Sequence, residues 1–495
     1  MSNNLPNIIM IVMDTVGAKH MSLYGYHRRT TPNLEEIAKE STFYSRCYAP
    51  GNWTLSSHAS LFTGLYPSEH LVDGSALTPH TLTLGKKLQH IVSIFNQSGY
   101  NTCCISCNGL VSPLYGLCRG FEIFIDYSGL APIEDRLKLK NDNNIKELKR
   151  SMAEAPNLRE SLQIFLHYVL CQKNLNLISH TFDYLKLALI RRLGLSRMQY
   201  SAPFTKRSFR TALKIIKNKI SQSNSPFFIF LNLMEAHSLY NPPKKYRHFS
   251  KKSDSNKLLP FKLYDENNKS LIKLLPIWND LYDDEILFLD YLIADFWQQL
   301  KVLNIFDNSI VIITSDHGDH FGEKGFYEHN FSLFNDLIWV PLIIRYPSWL
   351  KKSCTDNRLV SLTDLYSMLL DIIDSPMPRP LSSYSLLSSE KRASLSAMSL
   401  YNQEKKLALA AAFKKPKKWV NNLTVHDYAI IMDNNLKLLQ NERNELFLYN
   451  LAKDRNEEND LSSSLDPQIL QDLSFLINKD KHDTGYAALL ETTRN

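Results

Sequence analysis

The chain has 495 residues, of which 44% are hydrophobic and 22% charged, as in folded globular proteins rather than disordered or fibrous ones. This length suffices for one large domain with a smaller one beside it. The formal net charge of +7 suits an anionic substrate or a membrane surface. It does not indicate a nucleic-acid partner, and we expect none.

The seven cysteines are an odd number without a regular spacing. This pattern is typical of reduced, buried thiols rather than of a disulfide framework. Cys104 and Cys107 have the spacing of a redox or half-zinc motif, but no second cysteine pair or Cys-His pair lies nearby. Their neighbours favour a core strand instead.

Localisation signals are missing from the printed sequence. It contains no run of about 18 apolar residues, the length that a membrane-spanning helix needs. The uncharged start and the short apolar run before Asp14 do not resemble a signal peptide. We therefore expect no transmembrane segment and a cytoplasmic location.

The first 125 residues alternate between strand-like and helix-like patterns. The predicted elements, in chain order, are a strand at 7–13, helices at 32–38, 54–63 and 82–98, and a strand at 102–106. Thr31 before Pro32 is typical of a helix start, and Gly64 is typical of a helix end. This order predicts a parallel sheet with helices on both faces.

Residues 125–220 differ in composition, being rich in Lys, Leu and Asn and lacking strand signals. Helical periodicity is present at 162–171 and at 182–193. We interpret the segment as a helical insertion that covers the functional edge of the sheet. A helix pair lying on a membrane surface is the alternative.

The second half of the chain returns to the α/β pattern and then leaves it. The predicted elements are a strand at 227–233, a helix at 284–303, a strand leading to Asp316, a strand at 340–345, a helix at 359–373, strands at 426–439 and 445–450, and a helix at 466–477. We predict an α/β fold with a large central, mostly parallel sheet sandwiched by helices. Residues 1–375 would form this catalytic domain, and residues 376–495 a small C-terminal α+β subdomain.

Two of the apolar runs end in residues that bind metals. The first run ends at Asp14, and the run at 311–313 leads to Asp316 and His317. The carboxyl ends of parallel strands meet at one edge of a sheet, where ligands bind. Carboxylates and imidazole suit one divalent ion, with zinc, manganese, magnesium and calcium left open. An Asp-His pair alone often only caps a turn, so the prediction depends on all three residues.

Thr54 begins the predicted helix at 54–63. One interpretation is a simple helix cap, because threonine is a good N-cap residue. The other is a nucleophile at the positive end of the helix, where free N–H groups bind oxyanions. A hydroxyl needs activation at neutral pH, and coordination of Thr54 to the metal ion would supply it.

Three histidines are further candidates for catalysis. His58 lies one helical turn beyond Thr54, His237 follows a predicted strand end, and His329 lies in a polar loop after the Asp-His pair. Each could bind the oxyanion or protonate a leaving group. Each could equally be an ordinary surface histidine.

Together these motifs resemble the sulfatase-like branch of the alkaline phosphatase superfamily. The matching segments are 6–14, 24–26, 31–34, 53–67, 235–237, 314–319, 340–344 and 446–451. The resemblance covers nearly the whole chain and is weakest across 125–215 and 375–425. It implies a metal-dependent enzyme acting on oxyanion esters.

The sequence also departs from the sulfatase pattern. Sulfatases carry Cys or Ser, later oxidised to formylglycine, in a Cys-x-Pro-x-Arg motif, where this chain has Thr54-Leu-Ser-Ser-His58. Threonine cannot give the aldehyde, and it is similar to the nucleophile of the superfamily's phosphoryl-transfer members. Thr15 replaces a second acid after Asp14, and Lys19 or His20 are candidates to compensate.

The resemblance and the departures predict a hydrolase that cleaves a phosphodiester, phosphonate or related oxyanion ester through a covalent Thr54 intermediate. Three alternatives stay open: a transferase that moves a phosphoryl head group to an alcohol, a sulfate-ester hydrolase that works without formylglycine, and a catalytically silent binding protein. The expected partner is a small anionic ester linked to a lipid or a sugar. The oligomeric state is left open.

Overall fold

The computed structural model describes residues 5–72, 83–128, 203–222, 225–238, 240–251, 274–329, 331–351, 353–376, 383–399 and 425–483. The predicted helices at 162–171 and 182–193, and most of the predicted insertion at 125–220, lie outside these residues. Within them, no helix combines the length and apolar character needed to cross a bilayer. The cytoplasmic location and the domain boundary near residue 375 stay predictions.

The described residues form strands and helices in alternation. The strands are β1 (Asn7–Met13), β2 (Thr42–Tyr44), β3 (Cys47–Tyr48), β4 (Asn101–Ser106), β5 (Ile123–Asp126), β6 (Phe227–Leu233), β7 (Ser309–Thr314), β8 (His320–Phe321), β9 (Tyr327–Glu328), β10 (Leu342–Arg345), β11 (Thr355–Asp356), β12 (Val360–Ser361), β13 (Ser394–Met398), β14 (His426–Met432), β15 (Leu436–Asn441) and β16 (Leu446–Asn450). The α-helices are α1 (Pro32–Lys39), α2 (Thr54–Thr63), α3 (Pro67–His70), α4 (Ile91–Gln97), α5 (Pro203–Gln222), α6 (Leu275–Val302), α7 (Asn335–Ile338), α8 (Asp364–Ile372) and α9 (Pro467–Asp483).

Eight strands form the central sheet, in the order β11-β2-β10-β7-β1-β6-β4-β5. Strand β10 runs antiparallel to both of its neighbours, and the other pairs are parallel. The central strands β6 and β7 are buried along their whole length, as their continuous apolar runs predict. The predicted mostly parallel α/β fold is therefore confirmed.

Helices cover both faces of this sheet. Successive residues of β1 point to opposite faces, so Ile9 and Ile11 pack with α5 and α6, while Ile8 and Met10 pack with α2, α4 and α8. The sheet is thus sandwiched between two apolar layers. The loops that follow β1, β6 and β7 lie at the carboxyl edge of the sheet.

The C-terminal part contains a second, antiparallel sheet in the order β13-β14-β15-β16, with α9 packed against it. The single strand predicted at 426–439 is wrong. It is two strands, β14 and β15, joined by a turn in which Asn435 takes a left-handed φ of 67°. Asparagine tolerates this conformation, and the polar Asp-Asn-Asn sequence of the turn was the missed signal.

Some predicted helix limits also differ from the structure. The helix predicted at 82–98 is only α4, because His90 caps it by accepting from the Val92 N–H at 3.3 Å. The helix predicted at 359–373 begins at Asp364, after β12. Thr31 occupies the predicted N-cap position of α1, but its side chain accepts from the Leu23 N–H and makes no hydrogen bond to the helix.

Candidate active site

The ends of β1 and β7 bring the predicted metal ligands together. The two strands pair in parallel with Val12 opposite Thr314, so the residues that follow them emerge at the same edge. Asp14, Asp316 and His317 are at most 2% exposed, and one ligand atom from each lies within 4.8 Å of the other two. Three residues that are distant in the chain thus form one compact group.

Each carboxylate in this group keeps one oxygen without a hydrogen bond. Asp14 Oδ2 accepts from Asn108 Nδ2 at 2.8 Å and from Asn232 Nδ2 at 3.4 Å. Asp316 Oδ1 accepts from the backbone N–H groups of Thr15 and His317. Among the described residues, neither Asp14 Oδ1 nor Asp316 Oδ2 has a hydrogen-bond partner. Buried carboxylate oxygens need a partner, and a divalent cation fits this pair.

His317 presents the nitrogen that a metal ligand requires. Its Nδ1–H donates to the Gly318 carbonyl at 2.9 Å, which leaves the lone pair on Nε2. Burial, with a further contribution from the positive charge of His329, lowers the pKa of His317 to about 3. The imidazole is therefore neutral at physiological pH and ready to coordinate a cation.

The turn that follows His317 depends on glycine. A Cβ atom on Gly318 would lie 2.0 Å from the Asp336 carbonyl oxygen, and the Gly318 N–H donates to the Leu337 carbonyl at 2.7 Å. The backbone of α7 therefore presses directly against the loop that carries the candidate ligands. Any side chain at position 318 would displace them.

Thr15 stands where sulfatases usually carry a second acid, but it does not take over the role of that acid as a metal ligand. It has a φ of 62°, a strained conformation for a β-branched residue. Its Oγ1 donates to the Ala236 carbonyl at 2.7 Å, and its carbonyl accepts from the Tyr282 hydroxyl at 2.6 Å. The side chain is thus bound to backbone beyond β6 and is not one of the candidate ligands.

Lys19 and His20 do not compensate at the metal group either. Lys19 pairs with Asp336 and lies 3.5 Å from Glu323, and His20 lies 2.9 Å from Asp283. His320, Glu323 and Asp336 form another group of metal-ligand type, but the Lys19 ammonium already supplies a positive charge there.

Thr54 is the first residue of α2, and its side chain faces the candidate ligands. The cap position belongs to Trp53, and no side chain caps the helix, so the interpretation of Thr54 as a cap is wrong. Thr54 is 1% exposed, and its Oγ1 lies 3.2 Å from His317 Nε2. The N–H groups in the first turn of a helix have no partner within the helix, so the start of α2 can bind an oxyanion.

His58 contacts the backbone of Thr54, one turn away on α2, and not its hydroxyl. Its Nδ1–H donates to the Thr54 carbonyl at 2.8 Å, and its Nε2 lies 3.4 Å from Asn232 Nδ2. Nδ1 is also 3.5 Å from Asp316 Oδ2. Protein groups contact both nitrogens, so the geometry gives His58 a role in holding Thr54 and the carboxylates in place.

His237 and His329 approach the group from the other side. The His329 ring lies 4.7 Å from the His317 ring and 5.2 Å from the His237 ring. Burial disfavours the charged form of His329, but Asp319, 3.5 Å away, outweighs this and raises the pKa of His329 to about 9. His329 therefore carries a proton at neutral pH.

A comparison with protein families gives a match over most of the chain. The family model described as Sulfatase matches residues 6–375.

The chain belongs to the sulfatase family.

Two curated sulfatases are similar over most of the chain. An N-acetylgalactosamine-6-O-sulfatase of Bacteroides thetaiotaomicron is 22% identical and covers 96% of this chain and 93% of its own. An arylsulfatase of Clostridium perfringens is 23% identical over 77% of each chain. With the family match, they identify this chain as a metal-dependent ester hydrolase of the alkaline phosphatase superfamily.

Two solved structures share the fold. One, in complex with its substrate D-glucosamine-2-N,6-O-disulfate, has a TM-score of 0.65 at 17% identity and covers 97% of this chain and 98% of its own. The other is the phosphonate monoester hydrolase of Agrobacterium radiobacter, with a TM-score of 0.63 at 16% identity, covering 97% of this chain and 95% of its own.

Two residues of this sulfatase-family site escaped the sequence analysis. Asn108 and Asn232 both donate to Asp14. Asn232 is the only polar residue in the seven-residue β6, which is otherwise apolar and fully buried, and that contrast was an available signal. Asn108 follows β4 at the same edge of the sheet, so its position after a strand end was a second signal.

Proposed function

We propose that this protein hydrolyses a phosphodiester, a phosphonate ester or a related oxyanion ester through a covalent intermediate on Thr54. The observation that carries the proposal is the 3.2 Å separation of Thr54 Oγ1 and His317 Nε2, beside two carboxylate oxygens without hydrogen bonds. An unmodified hydroxyl therefore lies beside the atoms that would hold a cation.

Asp14, Asp316, His317 and Thr54 would hold one divalent ion. When bound, such an ion lowers the pKa of a hydroxyl and polarises a non-bridging oxygen of the ester. The neutral imidazole of His317 and the free oxygens of the two aspartates fit this ion. The donor set does not distinguish zinc, manganese, magnesium and calcium.

The protein's own groups carry out the remaining steps. The Thr54 hydroxyl gives its proton to solvent water, its oxygen forms a bond to phosphorus, and the bond from phosphorus to the leaving oxygen breaks. His329 or His237 gives a proton to that leaving oxygen, and the free N–H groups of α2 stabilise the charge on the phosphoryl oxygens. Water then adds to phosphorus and releases the Thr54 hydroxyl.

The substrate class follows from the relatives and from the site. The similar proteins include sulfatases that are named for amino sugars, a structure with a disulfated glucosamine, and a phosphonate monoester hydrolase. A small anionic ester linked to a sugar is therefore the proposed substrate. Those names equally favour a second candidate, the hydrolysis of a sulfate ester by unmodified Thr54.

A substrate panel with Thr54 variants tests the mechanism. We expect turnover of bis(p-nitrophenyl) phosphate or p-nitrophenyl phenylphosphonate by the wild type, partial activity for Thr54→Ser and loss for Thr54→Ala. Intact mass after a rapid quench should show a phosphoryl or phosphonyl adduct on Thr54. Thr63→Ser, at the other end of α2, is the matched control and should keep full activity.

The panel also separates the alternatives. Turnover of p-nitrophenyl sulfate alone would replace the proposal with the sulfate-ester hydrolase. Products joined to an added alcohol would indicate the transferase. Absence of turnover on every ester would favour the silent binding protein, and full activity of Thr54→Ala would refute the covalent intermediate.

A further inference from the structure

A cavity of about 360 Å³ lies beside the active site, where the residues after β2 meet the loop after β16. Its wall includes Arg46, Trp339, Asn357, Asn435 and Arg455. The volume is within the range of small-ligand sites, which is about 300–1,000 Å³. None of these residues belongs to the candidate metal group.

Arg455 gives the cavity an unpaired positive charge. The side chain is exposed, and its guanidinium lies 5.5 Å from the centre of the Trp339 ring. Its Nη1 donates weakly to the Tyr24 carbonyl at 3.4 Å. Among the described residues, no carboxylate forms an ion pair with Arg455. A guanidinium in this state has donors left for an oxyanion.

Other residues of the lining add further donors. Arg46 donates to Asp433 Oδ1 and to the Met432 carbonyl, each at 3.0 Å, and these bonds fix its guanidinium at the rim. Asn357 Oδ1 accepts from the Ser45 hydroxyl at 2.6 Å, which leaves the amide N–H groups of Asn357 for a ligand. The lining therefore offers the amide donors of Asn357 and the charge of Arg455, while the charge of Arg46 is paired with Asp433.

We propose that this cavity is a non-catalytic binding site for an acidic sugar. Arg455 would bind the carboxylate or sulfate group, because its planar fork matches two oxygens at once. The carboxamides of Asn357 and Asn435 would bind the hydroxyl groups of the ring. A lysine could not provide the same two-point contact, so an arginine at position 455 favours binding of a carboxylate or sulfate group.

The segment that contains α7 separates the cavity from the metal group. On one side, Leu337 and Trp339 accept backbone hydrogen bonds from Gly318 at 2.7 Å and from Ala18 at 2.9 Å. On the other side, Asn335 and Trp339 line the cavity. The acidic sugar is thus either a remote part of the substrate or a separate molecule. The proposal does not depend on the chemistry at Thr54.

Calorimetric titration with D-glucuronate and with neutral D-glucose, on the metal-loaded protein, tests the site. We expect glucuronate to bind the wild type and glucose not to bind. Arg455→Gln should weaken glucuronate binding at least about tenfold. Lys453→Gln removes the same charge two residues away, outside the cavity wall, and should leave the affinity unchanged.

A second variant, Asn357→Leu, removes the amide donors of another lining residue and should give the same loss of binding if it folds. Circular dichroism and thermal melting establish that each variant is folded. Equal glucuronate affinity in the wild type, Arg455→Gln and Asn357→Leu would overturn the proposal, as would failure of glucuronate to bind the wild type. Because the readout is binding, failure of the Thr54 mechanism would not affect it.

Kinetics distinguish the two sources of the ligand. If the acidic sugar is part of the substrate, Arg455→Gln raises KM for an ester that carries a remote uronic acid and leaves KM for a simple aryl ester unchanged. If it is a separate molecule, both KM values stay constant while glucuronate binding is lost. Either result supports the site.

Discussion

Thr54 Oγ1 and His317 Nε2 lie 3.2 Å apart, although 263 positions separate the two residues in the chain. The contact exists because α2 begins at the edge of the sheet where β7 ends. It places a hydroxyl beside a neutral imidazole whose lone pair is free for a cation.

Divalent metal should stabilise the folded protein through Asp316. A ligand that binds only the native state raises the free energy of unfolding, by about 2.7 kcal/mol at 100 times its Kd. We expect manganese, zinc, magnesium or calcium to raise the melting temperature of the chelator-treated wild type and not that of Asp316→Asn. Asp336→Asn, in the neighbouring charged group, is the control that should keep the shift.

The stability of Asp316→Asn in the absence of metal gives a second prediction. Without a cation, the carboxylate of Asp316 is buried with one oxygen unpaired, which is unfavourable. Asp316→Asn should therefore melt no lower than the wild type in chelator. A large loss of stability there would show that Asp316 is needed for the fold itself and not for a metal.

Asn108 should tune metal affinity without coordinating the metal. Its Nδ2 donates to Asp14 Oδ2 at 2.8 Å and so orients the other oxygen of that carboxylate. Loss of such an outer partner typically weakens metal binding or activity about 10–100-fold. We expect this loss for Asn108→Ala in a metal titration, and none for Asn96→Ala, whose side chain binds a distant carbonyl. Equal metal affinities of the wild type and Asn108→Ala would show that Asn108 does not affect metal binding.

The sequence was sufficient to predict the residues that lie at the ends of strands. Continuous apolar runs identify buried parallel strands, and the polar residues that follow them must share an edge. The sequence alone therefore predicts the candidate ligands Asp14, Asp316 and His317. The sequence also predicts that a helix begins at Thr54. Only the structure shows that the side chain of Thr54 faces His317 and not its own helix.

Contacts between distant side chains could not be predicted in the same way. Sequence signals placed the cap of α1 on Thr31, the adjacent residue. In the structure, Asp290 of α6 accepts from the N–H groups of Asn33 at 3.0 Å and Leu34 at 2.7 Å. Local patterns do not contain this information, because Asp290 is 256 positions from Leu34 in the chain.

Asp290 should therefore stabilise the fold more than an ordinary surface acid. Asp290→Ala leaves two backbone donors without this acceptor, one buried at Leu34 and one part-buried at Asn33, and an unsatisfied buried donor costs about 1–3 kcal/mol. We expect the free energy of unfolding in urea to fall by roughly 2–4 kcal/mol. Asp295→Ala, at an exposed position on the same helix, should change it by less than about 0.5 kcal/mol. Similar losses for the two variants would contradict the long-range cap.

Buried His90 should make the protein less stable in acid. Its Nε2–H donates to the Leu117 carbonyl at 2.9 Å, and burial lowers the pKa of His90 to about 3 from the ordinary value of 6.5. Between these two pH values the unfolded chain binds a proton that the folded chain does not. Stability contributed by His90 is therefore complete above pH 6.5 and decreases as the pH falls, by up to about 1.4 kcal/mol per pH unit.

The variant His90→Asn keeps a helix cap and removes this titration. We expect it to be less stable than the wild type at pH 7, because the Leu117 carbonyl loses its donor, and to approach the wild type as the pH falls. Urea unfolding in chelator between pH 7 and pH 4.5 measures both slopes. Parallel curves for the two proteins would mean that His90 becomes protonated in the folded state, so its pKa would not be lowered. Because His90 lies outside the metal group, the difference between the two curves is independent of metal binding.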